Sequence, residues 1–199
     1  MATLLYFGSF NPVHYGHLSI VQYLCSQPEI EEVRLVLSPK NPLKKAADLS
    51  DATERLNGLN AALDLARSRN FFPSDKPIHV STVEFDLPQP LYTLKTLRHL
   101  QTEEPERDFI LLIGGDNITS LEKWYQYDVL LQEFRIWVYP RLDVAAEALT
   151  CQQLSTRYKT KELRFLSEAP LLPISSTSIR AGLAPQWSGA LDASDDPAQ

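Results

Sequence analysis

The chain has 199 residues, 44% of them hydrophobic, and a formal net charge of −6. One substantial core fits that length, and no run approaches the roughly 18 to 20 apolar residues of a membrane span. The acidic balance argues against a nucleic-acid-coating surface but leaves room for one local basic pocket for a phosphorylated small molecule.

In chain order, the first apolar run, residues 3–7, stops at Gly8. His14 and His17 follow in a short loop, and a helical pattern then passes through Ile20, Val21 and Leu24. A second run covers residues 33–37 and opens into a loop, "LSPKNPLKKAADLSD", that carries Lys40, Lys44 and Lys45. Ala52, Leu56, Leu59, Leu63 and Ala66 form one apolar helical stripe, which Ser50 or Asp51 would cap. After a run at 78–81, Glu84 and Asp86 are expected as solvated loop charges, and Leu94, Leu97 and Leu100 mark another helix. Further runs lie at 109–113, 135–139 and 163–166. His79 and His99 are expected to be structural or surface residues. Arg55 is expected to face phosphates or to decorate its helix.

The runs are mostly apolar rather than alternating, as strands covered on both faces should be. Strand alternating with helix predicts an α/β fold, a doubly wound, mostly parallel sheet in a single domain over residues 1–182. Ligands in such sheets sit at the carboxyl ends of the strands. Residues 183–199 contain no Lys or Arg and three Asp, which predicts a mobile tail anchored at most by Trp187. Cys25 and Cys151 are the only cysteines and lie outside any CxxC spacing. A disulfide framework or structural zinc site is therefore not expected, and a reducing cytoplasm is. The N-terminus lacks the basic start and small-residue cleavage site of a secretory signal, which predicts the same location.

The stretch "LLYFGSFNPVHYGHLSIVQYL" carries the first chemistry. Gly8 lets the backbone turn at a strand end and approach a ligand, Pro12 fixes the loop, and Gly16 sits at the helix start. A helix N-terminus offers unpaired N–H groups and positive dipole charge, and two histidines three residues apart add ring donors on about the same side. A polyphosphate suits that arrangement. An ordinary βα turn with a surface and a capping histidine is the plainer alternative.

The pattern Gly-Ser-Phe-Asn-Pro-x-His-x-x-His is more specific than two histidines and resembles the GGTFDPxHxGH signature of the nucleotidyltransferase superfamily. Phe7 stands where the first glycine often is, and Asn11 replaces aspartate. Near the other end, "PISSTSIR" resembles the family's ISSTxIR motif, matched from Ile174 to Arg180. Between them, "SPKNPLKK", "QPLYTLKTLRHL" and "LLIGGDNITSLEKWYQYDVLL" resemble the PxxPxK, SYTxxTL and GxDNxxxLxxW segments of bacterial nicotinate-nucleotide adenylyltransferases. The resemblance runs over residues 3–180, about nine-tenths of the chain.

It implies a Rossmann-like nucleotidyltransferase fold and transfer of AMP from ATP to nicotinate mononucleotide, giving deamido-NAD and pyrophosphate. It implies His14, His17, Lys44 and Arg180 as the catalytic set. Gly8, Ser9, Phe10, His14, His17, Gly115, Asp116, Ser176, Thr177 and Arg180 would hold ATP. Lys44, Thr93, Trp124 and Tyr125 would hold the mononucleotide, with Asp116 accepting from ribose hydroxyls and Thr93 offering a backbone N–H and hydroxyl to the pyridine carboxylate. Mg²⁺ is expected with ATP, carried on phosphate oxygens and water, because the sequence offers no carboxylate cage for a protein-held metal. The expected partners are therefore the two small-molecule substrates, with no nucleic acid and no membrane, while a homo-oligomer stays open. Nicotinamide mononucleotide, or another phosphate acceptor, is the alternative substrate. A non-catalytic nucleotide-binding relative is the alternative from another class, since the tail lacks the basic, aromatic segment that relatives carry after ISSTxIR.

Overall fold

The structure, a computed structural model, describes residues 1–39, 51–73 and 76–172. Six strands form one sheet in the order β3-β2-β1-β4-β5-β6. They are β1 (Ala2–Gly8), β2 (Ile30–Leu37), β3 (Ile78–Ser81), β4 (Phe109–Gly114), β5 (Arg135–Tyr139) and β6 (Glu162–Phe165), and every pairing is parallel. All six apolar runs of the sequence are strands.

Their two-faced burial explains the runs. Leu4 and Leu5 are adjacent and both 0% exposed, yet they belong to separate cores on opposite faces of the sheet. One core joins Leu4, Leu35 and Ile110 to α1 (Tyr15–Cys25) and α2 (Ala52–Ser68), through Leu18, Val21, Leu24, Leu59 and Leu63. The other joins Leu5, Val36, Leu111 and Val138 to α4 (Thr93–Glu103), α6 (Tyr127–Glu133) and α7 (Val144–Arg157), through Leu94, Leu97, Leu130 and Leu154. Asp51 caps α2, accepting from the N–H groups of Thr53 at 2.8 Å and Glu54 at 3.3 Å.

Among the described residues, the connections also hold two single-turn helices, α3 (Val83–Asp86) and α5 (Gly115–Ile118), and a 3₁₀ turn at Leu121–Lys123. α3 overturns one expectation. Glu84 is not a solvated charge but is 3% exposed, because the helical turn aims it inward, where Thr96 Oγ1 donates to it at 2.9 Å. Burial raises its pKa against the hydrogen bonds from Ser38 and Thr96. Asp86 is exposed, His79 is exposed and His99 half-buried. Among the described residues no helix is long and apolar enough to cross a membrane.

The connections run outward from β1 to β2 and β3, then restart at β4 on its other side. The carboxyl ends of β1 and β4, Gly8 and Gly114, therefore flank the switch point, where this kind of sheet opens a crevice.

Candidate active site

The loop leaving β1 is shaped from within. Phe10 has φ 43°, an unfavourable value for a non-glycine residue, and its ring folds back over Gly8. A Cβ at Gly8 would lie 2.9 Å from Phe10 Cζ, so the glycine is required by Phe10. The Phe10 side chain is itself core, 2% exposed, and meets the His17 ring edge-on with centroids 5.1 Å apart. It thus supports the imidazole from behind, leaving only its backbone for ligand. Arg55 ties the loop to its neighbour: its guanidinium donates to the carbonyls of Ser9 (2.7 Å), Ser38 (2.9 Å) and Pro39 (2.9 Å). At 4% exposed it is neither a phosphate-facing nor a decorative arginine but a buried clamp, and burial lowers its pKa.

His14 is the N-cap of α1, and His17 lies in its first turn. Their rings are 3.8 Å apart at 33°. His17 Nδ1 accepts the His14 backbone N–H at 3.2 Å, which satisfies one of the donors a helix start leaves open. His14 is 2% exposed, and both its ring nitrogens are buried with no hydrogen-bond partner. Burial, and then the nearby Arg141 charge, push its pKa down to about 4, so the ring is neutral at pH 7. Buried polar atoms normally find partners. Here two ring nitrogens beside a helix N-terminus do not.

Across the switch point, Gly114 and Gly115 lead into α5 and Asp116, whose carboxylate is exposed. Arg141, two residues past β5, brings its Nε to 3.8 Å from Asp116 Oδ1. Its charge acts on His14, and on Tyr6, whose pKa burial raises to about 12. The sequence reading missed Arg141, although a basic residue just past a strand's carboxyl end was a usable signal. It also missed Glu147 of α7, which is 2% exposed and accepts the N–H groups of Arg141 (2.9 Å) and Leu142 (3.1 Å).

α4 runs from β3 to β4, so its N-terminus lies at this same end of the sheet. Thr93 is its first residue, and the cap residue Tyr92 makes no side-chain capping bond. Tyr92 stacks on Tyr125 with centroids 4.3 Å apart at 7°. Lys95 Nζ is 5.3 Å from one ring centroid and 5.6 Å from the other, which places the ammonium beside the shared edge of the pair. Tyr125 is 41% exposed, whereas Trp124 is half-buried against the second core with its Nε1 unpaired. The structure therefore gathers Gly8, Ser9, Phe10, His14, His17, Gly115 and Asp116 around the switch point, and Thr93 and Tyr125 at the α4 end. Lys40, Lys44, Ser176, Thr177, Arg180 and the tail lie outside the described residues. Among the described residues no group of three or more His, Cys, Asp or Glu could hold a metal ion.

An all-parallel doubly wound sheet with two histidines at the helix start of its switch point is the arrangement that the resemblance to nucleotidyltransferases implies. Residues 5–182 match the family model described as cytidylyltransferase-like. The chain is 39% identical over 179 residues to a probable nicotinate-nucleotide adenylyltransferase of Flavobacterium psychrophilum, covering 90% of this chain and 84% of that protein. A probable nicotinate-nucleotide adenylyltransferase of Bacteroides fragilis is 36% identical, with 92% and 82% covered. The chain belongs to the cytidylyltransferase-like family and, within it, to the nicotinate-nucleotide adenylyltransferases. The Plasmodium falciparum nicotinic acid mononucleotide adenylyltransferase complexed with NaAD shares the fold, with a TM-score of 0.67 at 18% identity over 90% of this chain and 82% of that one.

Proposed function

We propose that the protein transfers AMP from ATP to nicotinate mononucleotide, forming deamido-NAD and releasing pyrophosphate. The observation that carries this reading is the His14 ring, buried at the α1 N-terminus with both nitrogens unpaired. The names of the F. psychrophilum and B. fragilis relatives support the same reaction.

A phosphate oxygen of the mononucleotide attacks the α-phosphorus of ATP in line. The new P–O bond forms as the α–β bridging bond breaks, and pyrophosphate leaves with the electron pair. No covalent enzyme intermediate is required, so catalysis is positioning and charge stabilisation. With Nδ1 occupied as an acceptor, His17 carries its proton on Nε2 and donates it to the phosphates. His14, neutral when ligand is absent, gains basicity as anionic oxygens approach, and becomes a stronger donor as negative charge develops on the leaving group. Arg141 supplies the permanent cation on the opposite wall, and Asp116 accepts from a ribose hydroxyl. Gly8, Ser9, Phe10 and Gly115 border ATP through their backbones. Lys44, Ser176, Thr177 and Arg180 complete the phosphate contacts in this reading. Thr93, Trp124 and Tyr125 hold the pyridine ring.

In this reading Mg²⁺ would be carried on the substrate's own phosphates and water. Pyrophosphate release from ATP and nicotinate mononucleotide is the test. A folded protein that binds both substrates without releasing pyrophosphate would instead be a non-catalytic nucleotide-binding relative.

A further inference from the structure

α7 buries Glu147, Cys151 and Leu154, one helical stripe in which the first member is a carboxylate. A charge in an apolar stripe is costly unless its oxygens are satisfied. Here they are: Oε2 accepts the Arg141 N–H at 2.9 Å and Oε1 the Leu142 N–H at 3.1 Å. The same carboxylate lies flat on Gly115, where any Cβ would overlap it, so it also fixes how closely α5 approaches α7. Arg141 in turn packs its stem across Gly114, whose Cβ position would be 3.4 Å from both Arg141 Cγ and Nε, and points to Asp116. One buried carboxylate therefore holds the start of the Arg141 turn and the glycine before Asp116 together.

We propose that Glu147 is a positioning residue for the reaction: it sets the Arg141 side chain relative to the ATP phosphates. This rests on the adenylyl-transfer reading for its effect on turnover, but not for its effect on ATP binding. Because Glu147 acts through Arg141, its removal costs nothing further once Arg141 is gone.

The experiment is a double-mutant cycle of Glu147→Gln and Arg141→Ala, read in kcat/KM and, by calorimetry, in ATP affinity. Glu147→Gln turns an amide NH₂ toward a backbone N–H and disturbs the turn. It should lower kcat/KM by about 10-fold to 10²-fold, the scale of a misplaced site group, and leave the KM for nicotinate mononucleotide unchanged. The double variant should be no worse than Arg141→Ala alone. Leu154→Ala, on the same stripe but away from the loop, should lower the melting temperature and leave kcat/KM near wild type. If Glu147→Gln does not fold, Glu147→Asp runs the same cycle, keeping the charge but withdrawing it by one methylene. Losses that multiply in the double variant, or an equal loss of kcat/KM in Leu154→Ala, would reduce Glu147 to a structural residue. A wild type that binds ATP but never turns over would sink the transfer reading alone, since the cycle in ATP affinity still decides the role of Glu147.

Discussion

His17 Nδ1 accepts the backbone N–H of His14 at 3.2 Å, so one side chain both caps α1 and fixes its own tautomer. The helix start and the proton on Nε2 are thereby linked. His17→Ala should lose both at once. Loss of a donor to developing charge costs about 10² to 10³ in kcat. Loss of a cap costs about 1 kcal/mol, a fall in melting temperature of roughly 2 to 4 °C for a chain of this size. Stopped-time pyrophosphate assays and a thermal melt read the two separately, and wild-type turnover in a folded His17→Ala would remove the residue from the mechanism.

His14 makes stability depend on pH. Its folded pKa of about 4 lies below the ordinary value of 6.5, so between those values the unfolded chain binds more protons than the folded one. The contribution is complete above pH 6.5 and is lost as pH falls toward 4. A shift of that size corresponds to roughly 3 kcal/mol. Replacing His14 by Asn should flatten this part of the stability curve in denaturant titrations across the window. ATP should move the His14 titration upward, because phosphate favours the charged ring. An NMR titration in which ATP left the His14 pKa in place would contradict the ring's assignment to phosphate.

Arg55 binds three carbonyls while 4% exposed, so it belongs to the scaffold under the site. Arg55→Ala strands those carbonyls and should cost roughly 3 kcal/mol or more. Arg55→Lys should recover little, since a single ammonium cannot span Ser9, Ser38 and Pro39 as the guanidinium fork does. Chemical denaturation of the two variants checks this; near-wild-type stability of Arg55→Ala would show that the clamp is dispensable, and that of Arg55→Lys alone that the fork is not required.

The sheet was legible because its strands are buried on both faces, which writes them as unbroken apolar runs with bounds the sequence nearly states. Ile78–Ser81 and Arg135–Tyr139 are read to the residue. α7 was not, because its buried stripe begins at Glu147 and its apolar content is otherwise Ala-rich and thin. Glu84 was misplaced for a related reason. A carboxylate in a short Pro-flanked stretch looks solvated until the tertiary fold brings Thr96 to it. His14 and His17 were legible from local spacing alone. Arg141, just past a strand's carboxyl end, carried a local signal, but the contact of Glu147 with Gly115 and the clamp of Arg55 on Ser9 and Ser38 join positions distant in sequence, which no local pattern records.

Selectivity for the acid over the amide should be encoded at the start of α4. The first turn carries no acidic residue of its own, and Tyr92 provides no side-chain cap, which leaves a helix N-terminus open to an anion in this reading. Lys95 adds an ammonium beside the Tyr92–Tyr125 pair. A nicotinate carboxylate satisfies these donors, whereas an amide would turn its NH₂ toward them and leave groups unpaired. The kcat/KM for nicotinate mononucleotide should therefore exceed that for nicotinamide mononucleotide by about 10² or more. Lys95 is exposed, so its share is a screened, salt-dependent one. Lys95→Glu should narrow the acid-to-amide ratio by several-fold at low salt, and by less at high salt, without changing the KM for ATP. Tyr125→Ala should raise the KM for both mononucleotides together, because ring contact does not distinguish acid from amide. Equal kcat/KM for the two substrates in the wild type would mean that the α4 terminus does not read the carboxylate. A Lys95→Glu variant that kept the wild-type ratio at low salt would confine the discrimination to the backbone N–H groups.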